Sequence, residues 1–327
     1  MKITVLGAGA WGTALARLLH QAEGADVTLW GHNPQHLQDL KTTRINTRYL
    51  PGVKLPTGLK LETDLAKAVK GSECLVVALP SKAFRTVTKR LADYSGLVVS
   101  VTKGIEYDTG LTMCGILEQT MPKGVHVTLS GPSIAHEVAR NIPSAVVVAS
   151  PDKKAAKKVQ QLFHRPYFRV YSSNDMLGVE LGGALKNVIA IAAGVCDGLG
   201  FGDNSKAALI TRSIVEISRL GVACGAQAET FAGLSGLGDL TVTCFSKHSR
   251  NRTFGERLGK GEEISQILFT GVHVAEGYPT ACSAHQLAQK KGIEAPLINE
   301  IYAMLYEGKN PGKAVEDLLS RDYKAED

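Results

Sequence analysis

The chain opens with MKITVLGAGAWGTALARLL, residues 1–19, which joins a short apolar run to a cluster of glycines and a helical pattern. Ile3–Leu6 is predicted to form a β-strand, and a helix is expected from about residue 11. Gly7, Gly9 and Gly12 lie between them with the spacing G-x-G-x-x-G. In such a turn the first glycine permits a tight bend, the second lets a pyrophosphate approach the backbone, and the third lets helix and strand pack closely. The stretch predicts a dinucleotide-binding unit.

Further short apolar runs alternate with helical patterns through the first half of the chain. This alternation predicts parallel βαβ units in a doubly wound sheet, with the loops after the strands along one edge. The predicted strands cover residues 26–30, 75–79, 97–101, 126–129 and 145–149.

The pattern changes near residue 174, after which apolar residues recur at helical spacing in long blocks. The blocks cover residues 175–195, 205–223, 250–259, 280–291 and 296–306. The sequence therefore predicts an α/β protein with a Rossmann-like dinucleotide-binding domain over residues 1–174. An all-helical substrate and catalytic domain is predicted over residues 175–327.

Composition narrows the classes of partner. The net charge is +6, but the lysines are scattered and aromatic residues make up 6% of the chain. This favours a small anionic substrate over nucleic acid. Six cysteines without a CxxC pair predict reduced thiols and no metal site. The chain starts directly with a strand, and its most apolar stretch, Val188–Val195, is short, so we expect a cytoplasmic protein without stable membrane insertion.

Cofactor preference is usually tuned at the end of the second strand, where this chain reads Trp30-Gly-His32-Asn33. No Asp or Glu is present there to accept a hydrogen bond from a ribose 2′-hydroxyl. His32 and Asn33 can tolerate a 2′-phosphate. Three cations follow shortly and are interpreted as solvated loop residues: Lys41, Arg44 and Arg48.

The segment LGGALKNVIAIAAGV, residues 181–195, is the most informative in the second half. Lys186 is its only charged residue, in a helix that is apolar all round and should be buried. Gly182 and Gly183 precede the lysine by four and three residues, and we expect them to leave space for a substrate on that face. The alternative is a structural lysine whose ammonium reaches solvent.

Three other segments carry candidate polar groups. Lys103 follows a buried strand at the edge where ligands bind in such sheets, although it could be an exposed loop lysine. Gly131 and Ser133 belong to a second strand-to-helix turn, which could equally be a simple helix cap. Asp239 follows two glycines and is a candidate for the site or for a capping role.

Ser249-Arg250-Asn251 begins a helical stretch. A helix N-terminus with a guanidinium and an amide is suited to hold a phosphate. The alternative is a solvated basic helix face. The histidines are interpreted as structural or surface residues.

Together these segments resemble the NAD(P)-dependent glycerol-3-phosphate dehydrogenases of the bacterial type. The resemblance runs from Ile3 to about Leu319 and is specific in the combination and order of its motifs. They are VLGAGAWGTALA, ALPSKAFR, VTKGIE, LSGPSIAHEVA, ELGGALKNVIAIAAG, GLGDLTVTC, SRN and VAEG.

The resemblance implies reduction of dihydroxyacetone phosphate to sn-glycerol 3-phosphate, a precursor of glycerophospholipids, with NAD or NADP as cofactor. It implies that Lys186 transfers the proton, with Lys103 and Asp239 as catalytic neighbours. The implied substrate contacts are Lys103, Gly131, Ser133, Lys186, Asn187, Asp239, Thr243, Ser249, Arg250 and Asn251. The implied cofactor contacts, besides the glycines of the first turn, are Ala10, Trp11, His32, Asn33, Lys103, Ala135, Arg250, Val274 and Glu276. The long apolar helices are compatible with a homodimer.

Two other functions fit parts of the sequence. A β-hydroxyacid dehydrogenase would share the Rossmann domain and a Lys-Asn helix, but it would not need the Ser-Arg-Asn phosphate cradle. A non-catalytic dinucleotide-sensing module would not need a buried lysine in a glycine-flanked helix.

The residues after the second strand lead to a prediction on cofactor use. Since Gly31–Asn33 offers no carboxylate, NADPH should support turnover at least comparably to NADH. His32→Asp should shift the preference toward NADH, because the new carboxylate accepts from a 2′-hydroxyl and repels a 2′-phosphate. The measurement is the ratio of kcat/KM for the two cofactors. Strict use of NADH by the unchanged protein would contradict the prediction.

Overall fold

The computed structural model describes residues 1–270 and 275–322. The chain clusters into two compact units, one of Met1–Lys103 with Leu111–Glu180 and one of Gly104–Gly110 with Leu181–Asp327. The main division thus follows Glu180, whereas the sequence analysis put the domain boundary after residue 174. The segment Gly104–Gly110 is held in the second unit by the Ser283 hydroxyl, which donates to the Ile105 carbonyl oxygen (3.2 Å).

The first unit contains all the strands of the described residues. They are β1 (Lys2–Leu6), β2 (Asp26–Trp30), β3 (Ile45–Asn46), β4 (Leu50–Lys54), β5 (Lys60–Glu62), β6 (Cys74–Val77), β7 (Leu97–Ser100), β8 (Val125–Ser130), β9 (Ser144–Ala149) and β10 (Phe168–Ser173). Its helices are α1 (Ala10–His20), α2 (Pro34–Thr43), α3 (Leu65–Val69), α4 (Ser81–Thr88), α5 (Met113–Thr120), α6 (Ala135–Ala139) and α7 (Lys153–Phe163).

The sheet has eight strands in the order β10-β9-β8-β7-β6-β1-β2-β5, and β3 and β4 form a separate hairpin. The doubly wound sheet predicted from the sequence is confirmed. The two edge strands were not predicted, because KLE in β5 and FRVYSS in β10 mix polar with apolar residues. The prediction that all strands are parallel was wrong, since β8 and β9 pair antiparallel. Apolar periodicity reports burial and not the direction of a strand.

Helices cover the sheet on both faces because its central strands carry buried apolar residues on both faces. Ile3 and Val5 of β1 share a cluster with Leu15 of α1 and Phe163 of α7. Leu6 points to the other face and belongs to a second cluster, together with apolar residues of helices α4 and α5. The carboxyl ends of β1, β2, β6, β7 and β8 therefore lie along one edge.

The second unit is helical throughout its described part, as predicted. Its elements are the greater part of α8 (Met176–Gly198), α9 (Asp203–Ala223), α10 (Ala228–Phe231), a π-helical turn (Leu234–Gly238), α11 (Asp239–Phe245), α12 (Arg250–Gly259), α13 (Ile264–Thr270), α14 (Gly277–Lys291), α15 (Pro296–Tyr306) and α16 (Pro311–Leu319). Each of the five predicted blocks coincides with one of the longer helices, apart from Asp175, which precedes α8. The shorter helices were not predicted, because their apolar patterns span too few turns.

Helices α8 and α12 approach each other closely through glycines. A Cβ atom on Gly194 of α8 would lie 1.9 Å from the carbonyl oxygen of Arg252 in α12, and one on Gly255 would lie 1.9 Å from that of Ile191. One turn further along, Gly198 and Gly259 meet in the same way: a Cβ on Gly198 would lie 2.8 Å from the Cα of Gly259. The two backbones are in direct contact, which places the first turn of α12 beside the middle of α8.

Helix α8 also corrects an expectation about membranes. By length and composition it could cross a bilayer, since it has 23 residues and a mean hydropathy of 1.5 over its most apolar window. The argument that the apolar stretch is too short was wrong, because it considered Val188–Val195 alone. The protein itself buries 94% of that window, as expected for the core helix of a globular domain.

The close approach predicts the effect of one added methyl group. In a helix without this contact, Gly194→Ala would stabilise the protein by about 1 kcal/mol. Here the methyl group must push two backbones apart, so we expect a net loss of about 2 kcal/mol in the free energy of unfolding. Chemical denaturation measures it. Gly202→Ala is the control, since nothing lies within 4 Å of its added Cβ. A stabilised Gly194→Ala protein would show that the helices do not touch.

Candidate active site

The glycine turn after β1 has the geometry that its spacing predicts. Gly7 has a φ of +120°, and a Cβ there would lie 2.3 Å from the Ala78 carbonyl oxygen. A Cβ on Gly12 would lie 1.9 Å from the Gly7 carbonyl oxygen, so helix and turn are in contact. At Gly9 a Cβ would meet nothing within 4 Å.

The open side at Gly9 fits a dinucleotide. Gly9 is the N-cap of α1, and no side chain caps the helix. The first backbone N–H groups of the helix, at Ala10 and Trp11 among others, lack intrahelical partners and can bind a pyrophosphate. The residues present therefore suit the cofactor that the motif predicts.

Asn46 supports this turn and was not identified from the sequence. Its side chain is fully buried, and its Nδ2 donates to the Ala8 carbonyl oxygen (3.0 Å) and to the Thr13 hydroxyl (2.8 Å). His36 also approaches the Ala8 carbonyl oxygen, through Nε2 at 3.3 Å. The turn is held from residues more than 20 positions away, for which a single sequence carries no signal.

Of the two predicted cofactor residues after β2, one is exposed to solvent and the other caps a helix. His32 is exposed. The Asn33 side chain accepts a hydrogen bond from the His36 backbone N–H (3.0 Å) and caps α2. His32 therefore presents its side chain at this end of the sheet, while the Asn33 side-chain oxygen is used within the protein.

The three cations that follow are not equivalent. Lys41 is exposed, as expected. The interpretation of Arg44 as a solvated residue was wrong, because its guanidinium donates to the carbonyl oxygens of Leu59 (2.9 Å) and Thr57 (2.5 Å). Arg48 is exposed and lies over the Tyr49 ring, 5.2 Å from its centroid.

Three predicted residues of the first unit meet at the carboxyl edge of the sheet. Lys103, beyond the end of β7, donates from Nζ to the Gly131 carbonyl oxygen (3.1 Å). The Ser133 hydroxyl donates to the same oxygen (2.9 Å). Gly131 has a φ of +136°, a conformation that favours glycine. Ala135 begins α6 four residues further on. Lys103 is thus half-buried and engaged, not a freely exposed loop lysine.

Lys186 lies at the centre of the second unit and is 6% exposed. Its Nζ is 3.0 Å from Asp239 Oδ1 and donates to the Thr243 hydroxyl oxygen at 2.6 Å. Asp239 and Thr243 are one turn apart on α11, and both are buried. The alternative that Lys186 reaches solvent is thereby excluded. A charged amine with a buried carboxylate partner in an apolar helix is typical of a functional site.

The glycines before Lys186 do not leave space for a substrate at Gly182. A Cβ there would lie 2.7 Å from the Ser235 carbonyl oxygen. The π-helical turn therefore fills that face of α8, and our expectation for Gly182 was wrong. The same contact explains how Asp239, which follows the turn directly, comes close to Lys186.

An amide chain connects α8, α12 and α14. Asn251 donates from Nδ2 to Asn187 Oδ1 (2.9 Å), and its own Oδ1 accepts from the Gly277 backbone N–H (2.9 Å). Asn187 follows Lys186 directly, so the start of α12 is tied to the lysine. Ser249 is the N-cap of α12 and accepts from the Arg252 N–H (3.2 Å).

Arg250 stands at the start of α12. Its side chain is accessible to solvent, yet desolvation lowers the pKa of its guanidinium, an effect that the Glu276 carboxylate opposes. Val274, the remaining predicted cofactor contact, lies outside the described residues.

Comparison with known proteins agrees with this geometry. Two family models match, the NAD-dependent glycerol-3-phosphate dehydrogenase N-terminus over residues 2–156 and its C-terminus over residues 175–316. A glycerol-3-phosphate dehydrogenase (NAD(P)+) from Geobacter metallireducens is 49% identical, with 99% of this chain and 98% of the relative covered. The crystal structure of glycerol-3-phosphate dehydrogenase from Coxiella burnetii is 38% identical with a TM-score of 0.94, over 98% of this chain and 99% of that chain.

These matches cover nearly the whole chain. They therefore exclude the two alternatives, a β-hydroxyacid dehydrogenase and a non-catalytic sensing module. The substrate is a small phosphorylated compound, and the cofactor is NAD or NADP. The glycine turn, the buried lysine and the relatives lead to the same conclusion. The chain belongs to the NAD-dependent glycerol-3-phosphate dehydrogenase family and interconverts dihydroxyacetone phosphate and sn-glycerol 3-phosphate.

Proposed function

We propose that Lys186 is the proton donor and acceptor of this reaction. The observation that carries the proposal is its contact with Asp239 and Thr243, at 3.0 Å and 2.6 Å, inside an otherwise apolar helix. Reduction of a ketone needs a hydride at the carbon and a proton at the oxygen. When bound, the cofactor supplies the hydride.

Asp239 and Thr243 orient the lysine for that transfer. The Thr243 hydroxyl lies 2.6 Å from the Asp239 carbonyl oxygen, so both acceptors are held by the first turn of α11. The ammonium donates its proton to the carbonyl oxygen of dihydroxyacetone phosphate and takes it back in the reverse direction. Asp239 stabilises the protonated lysine in the buried site.

We assign the phosphate of the substrate to the start of α12. Arg250 supplies a guanidinium and the helix start supplies N–H groups, both suited to a phosphate. Ser249, Asn251 and Asn187 line the same helix start. In the first unit we assign Lys103, Gly131 and Ser133 to substrate contacts.

The cofactor is assigned to the glycine turn and its surroundings. Gly7, Gly9 and Gly12 shape the turn, and Ala10 and Trp11 offer the N–H groups of α1. His32 and Asn33 are assigned to the adenosine end. Lys103, Ala135, Arg250, Val274 and Glu276 complete the proposed cofactor contacts.

The setting of the enzyme is also a proposal. We propose a cytoplasmic enzyme that supplies glycerophospholipid synthesis, acts as a homodimer, and neither inserts into the membrane nor binds nucleic acid. The burial of α8 within the protein supports the part concerning the membrane.

The proton-transfer role predicts a large loss of turnover. Lys186→Ala should lower kcat by at least about 10²-fold, the usual contribution of a general acid. Cofactor affinity, measured by fluorescence titration, should stay nearly unchanged. Lys313→Ala is the control, since that lysine is exposed in surface ion pairs and should keep full activity. Near-normal turnover of Lys186→Ala would remove the lysine from the mechanism.

If Arg250 binds the substrate phosphate, its loss should impair turnover of the phosphorylated substrate more than that of an unphosphorylated one. A charge-assisted contact contributes roughly 1.5–3 kcal/mol, so Arg250→Ala should lower kcat/KM for dihydroxyacetone phosphate by about 10- to 150-fold. The weak activity on unphosphorylated dihydroxyacetone should change much less. Cofactor affinity is measured separately, because Arg250 is also assigned to the cofactor.

The control for Arg250→Ala is Arg257→Ala, on the same helix two turns later. Arg257 pairs with Glu262 and has no assigned role in the site. If Arg250→Ala impairs both substrates equally while cofactor binding is intact, Arg250 does not anchor the phosphate.

A further inference from the structure

A cluster of charges lies at the far end of α8, outside the residues assigned above. The Asp197 carboxylate stands between two cations, with Oδ1 2.5 Å from Lys206 Nζ and Oδ2 2.6 Å from Arg252 Nε. The exposed fractions of the three side chains are 15%, 9% and 14%. Asp197 Oδ2 and Arg252 Nε are not aligned for a hydrogen bond, so their contact is ionic attraction.

A second carboxylate lies near the cluster. Arg252 Nη2 is 3.6 Å from Glu256 Oε2, and the other oxygen of Glu256 is 2.6 Å from the exposed Lys260 ammonium. Lys206 Nζ also lies 5.1 Å from the centroid of the Phe245 ring. Without Asp197, the nearly buried cations Lys206 and Arg252 would have only the Glu256 carboxylate nearby among the described residues, 3.6 Å from Arg252.

Such a cluster contributes little to stability compared with apolar residues, because its charges must leave water. The cluster does, however, fix which side chains lie next to each other, and apolar packing would specify this less strictly. Helices α8 and α12 meet through glycines, which have no side chains to interlock. The glycine contact sets the distance between the helices, and the buried side chains of Phe254 and Leu258 pack α12 further along its length.

Two polar contacts act on the first turn of α12. The first is the hydrogen bond from Asn251 to Asn187, and the second is the contact of Arg252 with Asp197. Asn251 and Arg252 are consecutive in the first turn of α12, directly after Arg250. Asp197 therefore acts on the orientation of the turn that presents Arg250.

We propose that Asp197 is a positioning residue for the substrate phosphate. It holds Arg252, and through the first turn of α12 it fixes where Arg250 and Asn251 point. The inference rests on the proposed role of Arg250 as the phosphate anchor.

Asp197→Asn tests the proposal with little change in size. KM for dihydroxyacetone phosphate should rise about tenfold, because a small displacement of a binding group weakens its contact strongly. We expect kcat to change by less than about threefold, and kcat/KM for unphosphorylated dihydroxyacetone to stay within the same limit. A merely structural role would lower the folded fraction, and with it kcat for both substrates, without changing KM.

Two further variants sharpen the test. Asp197→Glu restores the charge and should recover part of the affinity for the phosphorylated substrate. Arg257→Ala serves again as the control, since Arg257 pairs with Glu262 outside this cluster and its loss should leave both substrates unaffected. If Asp197→Asn does not fold, Arg252→Lys keeps the charge of the cluster, and the same selective rise in KM is expected.

The outcomes separate this inference from the proposed function. If Arg250→Ala discriminates between the two substrates but neither Asp197→Asn nor Arg252→Lys does, Asp197 has no positioning role and the phosphate anchor stands. If Arg250→Ala does not discriminate either, the phosphate assignment itself fails. A selective rise in KM in both Arg250→Ala and a folded variant of the cluster supports the proposal.

Discussion

The contact between the backbones of α8 and α12 is the constraint on which the second unit depends. Gly194 and Gly255 let each helix touch a carbonyl oxygen of the other. A side chain larger than hydrogen at either position would move α12 away from α8. The start of α12 could then no longer share a hydrogen bond with Asn187. Close packing of two glycine surfaces thus brings the helix start to which we assign the phosphate next to Lys186, the proposed proton donor.

Charge in an apolar environment is the second constraint. Helix α8 is apolar enough to resemble a membrane span, yet it carries Lys186 and Asp197 at buried or nearly buried positions. Each has opposite charges within 3.0 Å, since an uncompensated charge there would be very costly. We propose that pairing keeps Lys186 in place for proton transfer and Asp197 in place to orient the first turn of α12.

In the first unit, backbone groups form most of the proposed cofactor site. The glycine turn offers N–H groups and an open face at Gly9, and its shape depends on buried side chains such as Asn46. Lys103 and Ser133 converge on one carbonyl oxygen at the strand ends. The parallel strands explain this convergence, because their carboxyl ends share an edge.

The sequence by itself determined the glycine turn, the burial of a long apolar helix with one lysine, and the absence of a carboxylate after β2. These are local patterns, in which spacing and residue type directly reflect backbone geometry and burial. The tertiary structure alone decided that Asp239 and Thr243 are the partners of Lys186, that Asn46 supports the turn, and that Asp197 joins Lys206 to Arg252. It also decided that backbone fills the face beside Gly182. Periodicity tells which residues are buried, but not which ones meet, because partners distant along the chain are chosen by packing.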